Sequence, residues 1–159
     1  LTFLYLAPKI KLGALNMAAI MSRYRSIFHL SDSDAVEMAK LTKGYPFAFQ
    51  ALGFLTWQNG GDYHGILEEY RHYLEEYVYD KLWSELSATD RRVTYGIAQS
   101  KTGEVREIRE ILNLSSDQFS PYRARLIRKG LVNGDERGLL RFTLPLFDQY
   151  VLSRLAFEE

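Results

Sequence analysis

The chain has 159 residues, enough for one domain or two small ones, and its 47% hydrophobic and 14% aromatic content marks a folded protein. Twenty basic and twenty acidic side chains cancel, so no global field draws it toward nucleic acid or an anionic bilayer, and any polyanion contact needs a local patch. The lack of cysteine excludes disulfides and thiolate metal sites and fits a cytoplasmic protein; no apolar run of roughly 18 residues is present to enter a membrane.

Leu1 to Leu6 is a short β-prone apolar run closed by Ala7-Pro8, expected as a buried strand. It has no partner strand in the sequence and no charged segment before it. It therefore reads as the end of a sheet encoded upstream, not a signal peptide, and the chain reads as a piece of a longer protein. Leu15 to Phe28 repeats Ala18, Ile20, Met21, Tyr24 and Phe28 near a 3.6 period and predicts a helix. Ser31-Asp32-Ser33-Asp34 supplies N-cap chemistry for a second helix, Ala35 to Thr42, stopped by Lys43-Gly44. Pro46 suits the first position of a third helix that runs to Asn59-Gly60-Gly61.

Ile66, Leu67, Tyr70, Tyr73, Leu74, Tyr77, Val78 and Leu82 recur at three and four, which predicts one apolar stripe on a long helix continuing into Trp83 and Leu86. The tyrosines of that stripe, with Tyr63, are expected in the core with their hydroxyls at the surface. Ser87-Ala88-Thr89-Asp90 is a capping box that opens a new helix. A boundary near residues 80–87 divides the chain into 1–84 and 85–159, packed against each other because no Pro/Gly/Ser linker intervenes.

From Ser87 the expected order is helix 88–99, helix 103–112, helix about 117–129, two strands and helix 146–156. Ser115 and Gln118 make a capping box, yet Pro121 would sit inside a helix begun there; a distorted turn over 116–119 leading into a helix at 121 reconciles the two signals. Gly130 then stops the helix, Leu131-Val132-Asn133 and Leu139 to Leu144 read as strands, and Gly134-Asp135-Glu136-Arg137-Gly138 is the turn between them. Helix, glycine stop and hairpin spell a winged helix-turn-helix, so the fold class is mainly α: a helical lid-like bundle followed by a winged helix with a small β-wing.

With Leu126 turned to the core, Phe119 and Tyr122 share its side. Pro121, Ala124, Arg125 and Arg128 lie opposite, flanked by Arg123 and Lys129. Four cations against the one acid Asp117, beside small residues, suit insertion into a duplex groove. The candidate DNA-binding set is Ser120, Arg123, Arg125, Arg128, Lys129, Arg137 and Arg141, with Lys101 as a further backbone contact. Against it, Asp135-Glu136 at the hairpin tip would repel phosphate, and the basic and acidic residues from Ser87 onward nearly balance. A protein-docking surface is the alternative.

Leu41-Thr42-Lys43-Gly44-Tyr45-Pro46-Phe47-Ala48 joins two helices, and glycine at a helix stop with proline at the next start accounts for it structurally. The same Gly-x-Pro turn, after an apolar strand (Leu1–Lys9) and before a winged helix (Leu114–Phe147), resembles the lid of AAA+/STAND-type ATPases, in particular the archaeal and bacterial group whose lid precedes a winged helix. The resemblance implies that Gly44, Tyr45 and Pro46 lie against a nucleotide, with Lys43 near its phosphates. It further implies that the chain serves an ATP-dependent protein either by binding duplex DNA or by docking and autoinhibition without DNA. No Gly-x-x-x-x-Gly-Lys-Ser/Thr loop occurs, so ATP and Mg²⁺ would belong to an ATPase core upstream in the same polypeptide, and this chain has no hydrolytic activity or cofactor of its own.

The other constellations carry less. His64, Glu68 and His72 share a helix face, but the outer pair would stand about 12 Å apart, too far for one metal. Glu68-Glu69 and Glu75-Glu76 flank Arg71 as a solvated, charge-balanced face, and no Gly-x-Ser-x-Gly elbow is present.

Overall fold

The computed structural model describes residues 13–158. The expected strand at Leu1–Leu6 lies outside them. The fold is mainly helical with one two-stranded antiparallel sheet. Among the described residues no helix is long and apolar enough to cross a membrane.

Three helices open the chain: α1 (Met17–Phe28), α2 (Asp32–Lys40) and α3 (Pro46–Gln58). Asn16 caps α1 by accepting the Ala19 amide at 3.0 Å, and Ser31 caps α2 by accepting the Asp34 amide at 3.1 Å. Helix α2 stops at Lys40, earlier than Thr42, because Thr42 turns its hydroxyl onto the Ala39 carbonyl at 2.7 Å. Tyr24 packs in the groove at Gly53, stacks on Phe49 and donates its hydroxyl to the Phe49 carbonyl at 2.7 Å.

A long rod follows: a 3-10 turn (His64–Ile66), α4 (Leu67–Leu74), a π-helical turn (Glu75–Tyr79) and α5 (Asp80–Ser84). The π turn corrects the sequence reading of this segment. A turn that closes i to i+5 inserts one residue and rotates everything after it. The buried face runs Ile66, Tyr70, Leu74 and then Tyr79 and Trp83, a step of five where four was expected. Tyr77, expected in the core, is 57% exposed, whereas Tyr79 is 1% exposed and donates its hydroxyl to the Pro145 carbonyl. The Tyr70 hydroxyl likewise stays inside, bonded to the Leu41 carbonyl at 2.8 Å. Burial pushes both phenols up from their ordinary pKa, so they remain neutral donors.

The remaining helices are α6 (Ala88–Gln99), α7 (Val105–Leu112), α8 (Ser116–Arg128) and α9 (Phe147–Glu158). Strands β1 (Val132–Asn133) and β2 (Arg141–Phe142) pair antiparallel, Val132 with Phe142 and Asn133 with Arg141. Helix α8 starts at Ser116, so the distorted turn expected over 116–119 does not form. Ser115 and Gln118 complete both bonds of the capping box, at 3.2 and 2.9 Å. Pro121, exposed, forfeits only the bond to the Asp117 carbonyl in the first turn. Helix α7 begins at Val105, two residues later than expected, because Gly103 is left-handed (φ 76°) and Glu104 is extended, bridged to Leu139.

Buried residues from Ile20 to Val151 form one apolar cluster. Trp83 joins the two halves of the sequence: its ring lies 5.2 Å from Tyr95 on α6 and 6.2 Å from Tyr150 on α9, and its carbonyl accepts from Arg91 at 2.9 Å. Asp80 accepts from both Tyr150 and Arg154.

Helices α6 and α7 touch closely at Gly96. A Cβ there would come within 2.5 Å of Leu112 Cγ, and Leu112 is itself buried. Alanine would gain roughly 1 kcal/mol of helix propensity against an overpacking cost of ~1–3 kcal/mol. Gly96→Ala is therefore expected to lower the thermal midpoint by a few degrees. An unchanged or raised midpoint in calorimetry would show that Leu112 moves aside without cost.

Candidate nucleic-acid interface

Helix α8 turns Phe119 (2% exposed) and Leu126 (0%) into the core, with Tyr122 half-buried beside them. Burial of two such side chains stabilises this orientation by roughly 1.5–3 kcal/mol each. The orientation leaves Asp117, Ser120, Pro121, Ala124 and Arg128 on the exposed stripe.

The arginines of the candidate set divide into two groups. Arg125 is held from inside: its Nε lies 2.9 and 3.0 Å from the two Asp90 carboxylate oxygens, and an Nη lies 2.7 Å from one of them. Asp90 is 3% exposed, and the guanidinium also sits 5.2 Å from the Tyr122 ring centre. The hydrogen bonds that Arg125 donates to Asp90 raise its already high pKa further. The box that opens α6 is thus half used: Ser87 accepts the Asp90 amide at 3.1 Å, while the Asp90 carboxylate reaches across to α8.

Arg123 is the second internal one. Its Nη donates to the Gly134 carbonyl at 3.2 Å, under the base of the hairpin. A Cβ on residue 134 would come within 2.5 Å of that nitrogen, so a side chain there would displace the guanidinium. Ser120, Arg128, Lys129, Arg137 and Arg141 are exposed, and the four cations among them make no ion pair with a described residue. Arg128 and Lys129 lie at the C-terminal end of α8, and the half between Ser116 and Ala124 presents Asp117 and one arginine turned inward. At the hairpin tip Asp135 and Glu136 are exposed beside Arg137.

The loop entering α7 is organised by Glu107, which the sequence reading did not single out. Its carboxylate accepts from Ser100 Oγ at 2.5 Å, Thr102 Oγ1 at 2.6 Å, the Thr102 amide at 3.0 Å and the Lys101 amide at 3.2 Å. These bonds, those from the two hydroxyls first, lower its pKa from 4.5 to about 2. The loop then pairs with the hairpin: Leu140 N–H donates to the Gly103 carbonyl at 2.8 Å, and Val105 N–H to the Gly138 carbonyl at 2.9 Å.

The second candidate set, Lys43 to Pro46, sits where the bundle meets the hairpin. Lys43 and Gly44 are both left-handed, with φ of 49° and 74°. The polar groups of the turn are bonded within the chain. The Gly44 amide donates to Thr42 Oγ1 at 3.1 Å, the Gly44 carbonyl accepts the Leu15 amide at 2.8 Å, and Lys43 Nζ donates to the Phe142 carbonyl at 3.2 Å. Gly44 is buried, with the Leu15 carbonyl 2.9 Å from where a Cβ would stand. Tyr45 and Pro46 are half-buried, Tyr45 tilted against Phe47.

Among the described residues no group of three His, Cys, Asp or Glu side chains is arranged to hold a metal ion. His64 lies in the 3-10 turn, stacked on Tyr63 at 4.0 Å, off the helix that carries Glu68 and His72.

A family model described as a domain of unknown function (DUF8462) matches residues 76–151, just under half of the chain, from the π turn to the middle of α9. No curated protein and no solved structure gives a match.

The Glu107 carboxylate stabilises its loop above its unfolded pKa of 4.5, and that contribution disappears as pH falls through about 2. The Lys101 and Thr102 amide resonances should titrate together with a midpoint near 2, and Glu107→Gln should abolish the transition. A midpoint near 4.5 would mean that the four bonds are not formed in solution.

Proposed function

We propose that residues 88–158 form a winged helix that works as a protein-docking module and not as a reader of DNA sequence. The order α6, α7, α8 and hairpin supports the winged-helix part, as does the isolated antiparallel bridge of Glu104 with Leu139, which ties the loop before α7 to the hairpin. The observation that carries the docking reading is the fate of the arginines. Arg123 is bonded to the Gly134 carbonyl, so the N-terminal half of α8, the part that would enter a groove, offers no free cation and one exposed acid. Arg125 beyond it is engaged by buried Asp90, although its side chain stays 40% exposed. The acidic hairpin tip adds repulsion where a wing would meet phosphate.

The same reading places the module in an ATP-dependent protein, with ATP and Mg²⁺ bound by an upstream core. The support is the likeness of Gly44-Tyr45-Pro46 to the ATPase lid turn. The bundle and the winged helix would then move as one piece, because Trp83, Tyr79 and Asp80 bond across them. A second reading, contact with the duplex backbone, draws on Arg128, Lys129 and Arg137, which are exposed and free of ion pairs with described residues.

Titration of the chain with a fluorescent duplex of generic sequence at about 50 and 200 mM salt separates the two. The docking reading expects no binding at ~10 µM duplex even at the lower salt. Micromolar binding that weakens steeply with salt, and weakens further in Arg128→Ala with Lys129→Ala, would overturn it in favour of backbone contact.

A further inference from the structure

The two clefts at the junction of bundle and hairpin adjoin one another. The first, of about 540 Å³, is lined by Met17, Lys40, Lys43, Leu139, Arg141 and Phe142 among others; the second, of about 150 Å³, shares Lys43, Arg141 and Phe142 with it and adds Lys101. Four cations from four separate segments therefore meet along one strip: Lys40 at the end of α2, Lys43 in the turn, Arg141 on β2 and Lys101 in the loop before α7. All four are exposed and none pairs with a carboxylate among the described residues. Apolar side chains, Met17, Leu139 and Phe142 in the first cleft and Ile97 and Leu140 in the second, lie between them.

Lys43 adds an independent sign. A lysine at φ 49° directly before a glycine at 74° occupies a helix-stop position that glycine or asparagine would take at less cost. The strain keeps an exposed lysine on the lining of both clefts, and beyond the bond to the Phe142 carbonyl its ammonium retains two N–H donors for a ligand. The nearby Phe142 carbonyl at 3.2 Å holds the side chain in place over the ridge that separates the two clefts.

We propose that this strip is the docking groove of the module and that it takes an extended peptide in which acidic residues alternate with aliphatic ones. The inference rests on the docking reading. Carboxylates on one side of such a peptide meet Lys43 and Arg141, which line both clefts, while its aliphatic side chains, all on the other side by the period of two, turn toward Met17 and Leu139 of the first cleft. Each cleft also carries carboxylates of its own, Asp135 and Glu136 in the first and Asp148 in the second. A long polyanion such as a duplex runs into them, whereas a short peptide with one or two central acids does not, and its amides can donate to them. The occupant is thus selected by repulsion as well as attraction.

The probe is a fluorescent octapeptide with the centre Leu-Glu-Leu-Glu, compared with one whose centre is Leu-Lys-Leu-Lys, followed by anisotropy and by amide shifts of the labelled protein. The acidic peptide should bind with Kd of roughly 10–100 µM, a range typical of short-peptide docking. Its shifts should be confined to residues around Lys40, Lys43, Lys101 and Arg141, with the basic peptide at least ~10-fold weaker. Lys43→Gly, which removes the amine and relieves the left-handed strain, should keep the folded spectrum, and combined with Arg141→Gln it should lower affinity at least ~10-fold. No binding near millimolar peptide, equal binding of the basic peptide, or shifts centred elsewhere would each overturn the groove. Failure here with no duplex binding leaves the docking reading standing without this groove, whereas salt-sensitive duplex binding sinks both.

Discussion

A single buried carboxylate decides what the C-terminal half of this protein offers to the outside. Asp90 is 3% exposed, burial of a carboxylate without a partner is costly, and its partner is Arg125 on α8. The pair links α6 to α8 and balances the charge of a guanidinium that stays 40% exposed on the helix surface. Arg123, on the other side, joins α8 to the hairpin through the Gly134 carbonyl. The contacts that fix α8 against its neighbours also leave its N-terminal half electrostatically plain.

The second constraint is the π turn at Glu75–Tyr79. One inserted residue brings Tyr79, Asp80 and Trp83 around to the side where α6, α9 and the Pro145 carbonyl are waiting. Without it, the buried face of α4 would continue through Tyr77 and Val78. The π geometry costs little in a helix already stabilised by packing, and its return is the joint between the two halves of the sequence. The Lys43–Phe142 bond makes a second joint at the opposite side, where the two clefts lie.

Much of the architecture was legible in the sequence because it depends on local signals. Ser31, Ser87 and Ser115 announce helix starts, Gly130 and the Gly134–Gly138 turn announce the hairpin, and the Leu126 register orients α8. What escaped depends on pairings between distant residues or on a change of period. A carboxylate at the third position of a capping box gives no sign that it will cross to an arginine 35 residues away. The bridge from Glu104 to Leu139 is visible only once the hairpin lies beside it, and Glu107 looks like one more charge on an amphipathic helix. The π turn did leave a trace, the five-residue step from Leu74 to Tyr79, which a search for threes and fours passes over. Pro121 misled in the other direction, because the loss of one solvent-side bond is smaller than the gain from a complete capping box. In the candidate interface, the sequence could not separate the cations used within the fold, Arg123 and Arg125, from those left exposed.

The most direct test of this account is the Arg125 Nε–H resonance in a ¹H–¹⁵N correlation spectrum near neutral pH, recorded with and without a generic duplex. If Asp90 holds the guanidinium, the resonance is resolved, exchanges slowly with water, and does not move when duplex is added. A signal averaged with solvent, or one that shifts on addition of duplex, would mean that Arg125 is free to reach a phosphate or a base, and the docking reading would give way to nucleic-acid binding by α8.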